Sequence, residues 1–368
     1  MNMNFFVNTK VITGADCVKS NAEKLGSYGK KCLIVTGATS AKKCGALGDV
    51  ASALESQGVQ YEIYDKICQN PTVASCFEAG LCANSCGADF IVGIGGGSPL
   101  DASKAVAVIA ANPGISEEKL YAMQWDNRPL PVVAVGTTAG TGSEVTSVAV
   151  ITNSKGLKKS FRNDLTYPVL SFGDPKYTMS LSDSFTRSTA VDALAHCVES
   201  FFCRSANDIS KVFAVAGVKK LLKTFDKIIS QGTEALTLDD REQLYNASLL
   251  GGYAIAVTGT ALPHALGYFL TENYGVAHGT ACAVFLNEFI EYNSTVKPEL
   301  TAEFFDEIRM DKERFKAVVS SVMPEIDVRL SDEDIAELSP RWEGNAALKR
   351  NWGEIDTAFV NSLLTKLF

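Results

Sequence analysis

The stretch on which the fold turns is Asp89-Phe-Ile-Val-Gly-Ile-Gly-Gly-Gly-Ser-Pro-Leu-Asp101. Its first half is a continuous apolar run of strand length. Its second half is a glycine turn leading into Pro99–Ala111, a segment of helical length rich in alanine and valine. A run that is apolar at nearly every residue is a strand buried on both faces, the way strands of a parallel sheet read. In the turn, Gly95, Gly96 and Gly97 let the backbone approach a bulky anion, and the free N–H groups and dipole of the following helix favour negative charge. Ser98 is expected to cap that helix, with Pro99 at its first position and Asp101 completing the N-terminal box. The spacing is close to a dinucleotide-binding fingerprint, with Ser98 in place of the last glycine. A tight strand-to-helix turn also needs glycine for steric reasons alone.

Working outward, the same alternation repeats. Lys31–Thr36 predicts a strand, followed by Gly37 and a helix carrying Leu47, Val50 and Leu54. Gln60–Tyr64 predicts a second strand, Thr72–Ser85 a helix and Pro131–Val135 a further strand. This β-α-β-α order predicts an α/β domain built on a parallel sheet covered on both faces. Beyond Leu181 the strand signals stop. Apolar patterns of helical period follow at Ala190–Phe202, Val212–Leu222, Glu242–Val257, Ala281–Tyr292 and Phe315–Val322. With Pro175 and several hydroxyl residues marking a break, two domains are expected, 1–179 α/β and 180–368 all-α.

A chain of 368 residues accommodates two or three domains. Its 34 basic and 42 acidic residues leave a net charge of -8, and no basic run is present, which argues against nucleic acid as a partner. The ten cysteines include no CxxC pair, the nearest being Cys82-x-x-x-Cys86, so reduced thiols are expected. No window approaches the roughly 18 consecutive apolar residues of a membrane span. The N-terminus also lacks the apolar stretch of a secretion signal. A cytoplasmic protein without a membrane partner is expected.

A second loop, Gly136-Thr-Thr-Ala-Gly-Thr-Gly-Ser-Glu144, joins the strand ending at Val135 to an apparent strand over Val145–Thr152. Thr137, Thr138, Thr141 and Ser143 offer hydroxyls beside a flexible backbone. A surface hairpin would need no more than this. Two such loops at strand ends favour a nucleotide at the carboxyl edge of the sheet.

The chain has three histidines, all in its second half. Asp192 and His196 stand four apart in a helical stretch, so both side chains emerge on one face, one turn apart. Glu199 is a further candidate by periodicity. His264 follows Pro263, and His278 begins an apolar helical run. A single histidine on an apolar helix is ordinarily a core residue. One carboxylate and three imidazoles together suit Fe(II) or Zn(II) rather than Ca or Mg.

At these residues the chain resembles the iron-containing (group III) alcohol dehydrogenases, relatives of glycerol dehydrogenase and dehydroquinate synthase. Gly95-Gly-Gly-Ser-Pro-Leu-Asp-Ala-Ser-Lys104 is similar to the family's diphosphate loop. Thr137-Thr-Ala-Gly-Thr-Gly-Ser-Glu-Val-Thr146 is similar to its nicotinamide-side loop. Asp192, His196, His264 and His278 fall on its four metal ligands, and Lys158 on a cofactor-contacting lysine. The resemblance implies a dehydroquinate synthase-like fold: a nucleotide-binding α/β domain plus a helical metal-binding domain. It also implies a homodimer and reversible hydride transfer between NAD(P)H and a small aldehyde or primary alcohol.

Three departures stand out. Gly136 replaces a proline usual before the Thr-Thr pair, a small backbone change. Tyr268 stands one turn after His264, where many members carry a non-ligating histidine, which makes it a candidate proton relay. Gly37 and Ser40, in Val35-Thr-Gly-Ala-Thr-Ser40, occupy the region where NAD-preferring members have an aspartate that binds the ribose 2′-hydroxyl and repels a 2′-phosphate. NADP(H) is therefore admitted alongside NAD(H). Two other readings are a metal- and NAD-dependent lyase and a non-catalytic nucleotide-binding protein on the same fold. The first needs basic residues for an acidic substrate, and the segments around His264 and His278 have almost none.

Overall fold

A computed structural model describes residues 5–368. Six strands form one all-parallel sheet: β1 (Lys10–Thr13), β2 (Lys31–Thr36), β3 (Gln60–Tyr64), β4 (Phe90–Gly95), β5 (Val132–Gly136) and β8 (Leu170–Gly173), in the spatial order β1-β8-β5-β4-β2-β3. Strands β6 (Val148–Thr152) and β7 (Lys158–Arg162) pair antiparallel in a separate hairpin.

The continuous apolar runs have the predicted cause. Leu33, Val35, Ile91 and Val132 enter the cluster on one face, packed by α2 (Val73–Cys86) and α3 (Gly97–Ala111). Their neighbours Cys32, Ile34, Val92, Ile94, Val133 and Val135 enter the other, packed by α1 (Ala46–Ser56). With both faces covered, β4, β5 and β8 bury every residue and β2 all but Lys31, whereas the edge strands β1 and β3 are largely exposed or half-buried. β1, β7 and β8 are four or five residues long, and β7, Lys-Lys-Ser-Phe-Arg, is largely polar. They carry too little apolar pattern to be predicted alone.

From β2 the chain runs outward to β3, then returns to β4 on the other side of β2. That reversal places the carboxyl ends of β2 and β4 at a topological switch point, where an open α/β sheet has a crevice. The register aligns Thr36 with Ile94, Gly95 with Gly136 and Gly136 with Gly173. Gly37, the 95–98 turn and the 136–144 loop thus leave the same edge.

The expected cap of α3 is corrected. The helix begins at Gly97, with extended Gly96 as its capping residue. Ser98, already inside the first turn, accepts a hydrogen bond from the Asn70 amide at 3.2 Å. The expected strand at Val145–Thr152 also starts later, because a single helical turn occupies Ser143–Val145.

Contacts divide the chain into two units. One comprises Phe6–Leu181 with Thr237–Tyr245, the other Ser182–Leu236 with Asn246–Phe368. The second is helical and built around α4 (Asp183–Phe202), which Ser182 caps by accepting from the Phe185 amide. Every residue of α4 from Ala190 to Phe202 is buried, as for a helix enclosed on all sides. Around it lie α5 (Asp208–Gln231), α7 (Leu262–Tyr274), α8 (His278–Ala283) and α9 (Leu286–Val296). The apolar run Ala281–Tyr292 is two helices rather than one. α8 tightens at its end, where the Phe285 amide bonds the Cys282 carbonyl, and α9 departs anew.

Helix α6 (Leu238–Thr258) contributes to both units. In the α/β unit, the Tyr245 ring lies over Gly136 and Gly173, and its hydroxyl donates to Glu144 at 2.9 Å. Any side chain at Gly136 would strike that hydroxyl and the Glu144 carboxylate. Glycine at 136 is therefore a packing requirement of Tyr245, not a small backbone adjustment. All ten cysteines are free thiols, and among the described residues no single helix is long and apolar enough to cross a membrane.

Candidate active site

The helical unit brings all three histidines to one carboxylate. His196 Nε2 stands 3.9 Å from Asp192 Oδ1, across one turn of α4. His264, in the first turn of α7, places Nε2 3.4 Å from the same oxygen. The His196 and His264 rings stack at 4.6 Å and 20°. His278 opens α8, its ring 5.3 Å from that of His264 and nearly perpendicular to it. α8 reaches this position because Gly279 is glycine: a Cβ there would meet the Ser188 carbonyl and lie 2.7 Å from Asp192 Cβ.

Glu199 acts through His264. One of its oxygens bonds His264 Nδ1 and the other accepts the Ala261 amide at the start of α7. A carboxylate on Nδ1 fixes the proton there and leaves the Nε2 lone pair directed at Asp192, the arrangement of a ligating histidine. Periodicity had suggested Glu199 as a ligand; the structure makes it a positioning residue.

Among the described residues, Asp192 Oδ1 and His264 Nε2 are buried without a hydrogen-bond partner. Such atoms cost free energy unless something else satisfies them. The donors of Asp192, His264, His278 and Cys282 lie within 4.8 Å of one another. Burial alone would raise the Asp192 carboxyl, but the surrounding imidazoles, His196 foremost, hold it below the usual range. Burial opposes a proton on His264, but Glu199 and Asp192 beside it raise it well above the ordinary imidazole value, so the cluster by itself holds a proton that a divalent cation would replace. A carboxylate, three imidazoles and two unsatisfied atoms facing each other fit a divalent transition metal. His196 meets the group through Asp192 and its stacked ring. Tyr268 stacks on His278 at 5.7 Å and 8°. Cys282, which the sequence offers only as one of ten expected thiols, is the addition to the group; its offset of four from His278 is the available signal.

The α/β unit assembles the two loops. Gly95 adopts φ +154°, which side chains disfavour, and a Cβ there would also lie 2.9 Å from Pro99 Cβ. A Cβ on Gly96 would fall 2.9 Å from Thr138 Oγ1, and one on Gly97 2.9 Å from Thr141 Cγ2. The glycines thus admit the second loop against the first, and the Thr137 amide bonds the Gly95 carbonyl at 2.9 Å.

Asp101 does not complete an N-terminal box. Its carboxylate accepts from Ser143 Oγ and, at 2.9 Å, from the Val150 amide. Lys104 completes this clamp. Its fully buried ammonium contacts Asp101 at 3.3 Å, Ser143 Oγ at 2.8 Å and the Val148 carbonyl at 2.7 Å. Burial pushes it below the usual lysine range against the pull of Asp101. A lysine inside an apolar helix was the sequence signal for it.

At Gly37 a Cβ would stand 3.2 Å from the Ile67 carbonyl, so the position is tight as well as uncharged. Ser40 is exposed at the start of a short helix, where Lys42 pairs with Asp65 at 2.7 Å. Lys158 is half-buried on β7, paired in register with Thr152.

Comparison with known proteins covers both units. Residues 8–175 match the family model for iron-containing alcohol dehydrogenase, and 186–337 match the Fe-containing alcohol dehydrogenase family, C-terminal. The 1,3-propanediol dehydrogenase of Klebsiella pneumoniae is 32% identical over 82% of this chain and 76% of its own length. Alcohol dehydrogenase 4 of Schizosaccharomyces pombe is 30% identical over 79% of this chain and 68% of its own. Among solved structures, an iron-containing alcohol dehydrogenase superposes with TM-score 0.92 at 32% identity, covering 100% of both chains. Another, from Thermotoga maritima, gives 0.91 at 33% identity over 99% of each.

Proposed function

The chain belongs to the iron-containing alcohol dehydrogenase family, and from that premise we propose how its own residues carry an NAD(P)-linked alcohol dehydrogenase and aldehyde reductase reaction. Asp192, His196, His264 and His278 hold Fe(II), or Zn(II) in its place. A divalent ion bound there would supply Lewis acidity toward the substrate oxygen, and a bound nicotinamide would supply hydride chemistry. Glu199 keeps His264 in the ligating tautomer. Tyr268, stacked on His278, relays the proton that the substrate oxygen gains or loses. No side chain need act as a nucleophile.

The 95–98 turn and the amides opening α3 take the diphosphate, with Asp101 holding the second loop in place. Thr137, Thr138, Thr141 and Ser143 line the nicotinamide side, and Lys158 contacts the cofactor. Gly37 and Ser40 put no negative charge at the ribose 2′ position, so the enzyme accepts NADP(H) as well as NAD(H). The substrate is a small aldehyde or primary alcohol, in keeping with relatives described as 1,3-propanediol dehydrogenase and lactaldehyde reductase. The organisation into a 1–179 nucleotide-binding domain and a 180–368 metal-binding domain, in a cytoplasmic homodimer, belongs to the same reading.

The observation that carries the metal assignment is the pair of buried, unsatisfied atoms Asp192 Oδ1 and His264 Nε2. Replacing His264 by Ala tests it, with bound metal and NAD(P)H-dependent aldehyde reduction measured together. Both are expected to fall. Full activity with unchanged metal content would overturn the assignment.

A further inference from the structure

Cys282 lies four residues beyond His278 on α8, so both side chains leave one face of the helix. Its Sγ is buried, 3.8 Å from Nδ1 and 3.9 Å from Nε2 of His278, and it stands in the same cluster as the donors of Asp192 and His264. Space for the sulfur is provided from α7. Gly267, one turn beyond His264, would place a Cβ 2.7 Å from Sγ and 2.9 Å from the Ala281 carbonyl. Nearness in sequence to a ligand does not produce this arrangement. Cys197, adjacent to His196, packs against Gly217 and Gly251 instead.

We infer that Cys282 supplies a sulfur donor to the divalent ion at this site, so that its donors are carboxylate, imidazole and thiolate together. The inference rests on the metal-site reading above and adds a ligand to it. Two buried atoms of the same cluster, Asp192 Oδ1 and His264 Nε2, independently call for a cation among these residues. On coordination the S–H bond gives its proton to solvent and the sulfur electron pair goes to the ion, with no change of oxidation state. A soft donor biases the site toward Zn(II), Co(II) and Fe(II), and away from Mg(II) and Mn(II).

The test uses the full-length protein, stripped of metal and loaded anaerobically with one equivalent of Co(II). Wild type is expected to show a thiolate-to-cobalt charge-transfer band in the near ultraviolet. Cys282→Ser is expected to bind cobalt, lose that band and bind Zn(II) at least about tenfold more weakly. Cys197→Ser should keep the band. Stoichiometric cobalt without the band in wild type overturns the inference, as does a band that survives in Cys282→Ser. The wild-type spectrum decides even if the variant fails to fold, and Cys282→Ala provides a second variant. Failure to bind cobalt at all overturns the metal-site reading as well. A sulfur band in a loaded wild-type protein that reduces no aldehyde would sink the dehydrogenase reading alone.

Discussion

Two buried polar clusters, one in each unit, solve the same problem in opposite ways. In the α/β unit, Lys104, Asp101 and Ser143 bond one another and nearby backbone, so the clamp is complete within the chain. In the helical unit, Glu199 is fully engaged, yet Asp192 Oδ1 and His264 Nε2 are left without partners. The first cluster is scaffolding that shapes a loop. The second leaves two donor atoms unsatisfied and facing each other, as an external cation would require. Both clusters contain an aspartate and a buried cation former, so the difference lies in how their atoms are satisfied and not in residue type.

The comparison is open to attack at several points. Asp192→Ala should have the largest effect, lowering bound metal and cutting aldehyde reduction by about 10²–10³-fold or more. Chelation of wild type should reproduce that loss and lower the melting temperature, since an ion bound only by the native state stabilises it. Elemental analysis and calorimetry check both, and metal retained by Asp192→Ala would erase the contrast. Next comes Lys104→Met, which removes the buried ammonium from half-buried Asp101, from Ser143 and from the Val148 carbonyl. It should destabilise by about 3–5 kcal/mol in denaturant titration, whether or not metal is present. Rescue by added metal would show that the two clusters are not independent.

A smaller change is expected from Gly37→Asp. A carboxylate there repels a 2′-phosphate, so kcat/KM with NADPH should fall by about tenfold or more while metal content stays fixed. The smallest change concerns Glu144. Burial raises its carboxyl above the ordinary range, so the folded state holds its proton to higher pH than the unfolded chain does. The contribution of such a group to stability is greatest below the unfolded value, about 4.3, and is lost as pH rises through the folded value. Glu144→Gln carries no such dependence. Its melting temperature relative to wild type should increase with pH, and a difference that shrinks would reverse the sign assigned here.

The sheet and the one-turn spacing of Asp192 and His196 were legible in the sequence for the same reason. A strand buried on both faces must be apolar throughout, and a helix that grips an ion must repeat its ligands every turn. Lys31–Thr36, Phe90–Gly95 and Asp192/His196 all obey such short-range rules. What escaped depends on partners distant in sequence. Asp101 looked like a capping residue because its real partners, Ser143 and Val150, lie more than forty residues away. Ser98 likewise meets Asn70, and Glu199 meets His264 and Ala261. Cys282 was hidden differently: a buried cysteine in an apolar helix has an ordinary explanation, and only the neighbouring histidine and glycine set it apart.

The Tyr245 ring over Gly136 and Gly173 has a consequence for how this chain could be divided or varied. The α/β unit is not one continuous stretch of gene, because the aromatic side chain covering two of its strands is encoded more than sixty codons after the last strand ends. A fragment stopping at Leu181 would lack that cover, leaving a slot the width of a phenol ring and Glu144 without its hydroxyl donor. For the same reason any Cβ at 136, a proline's included, would meet both the tyrosine hydroxyl and the Glu144 carboxylate, so a change at 136 demands one at 245 and a shift of Glu144.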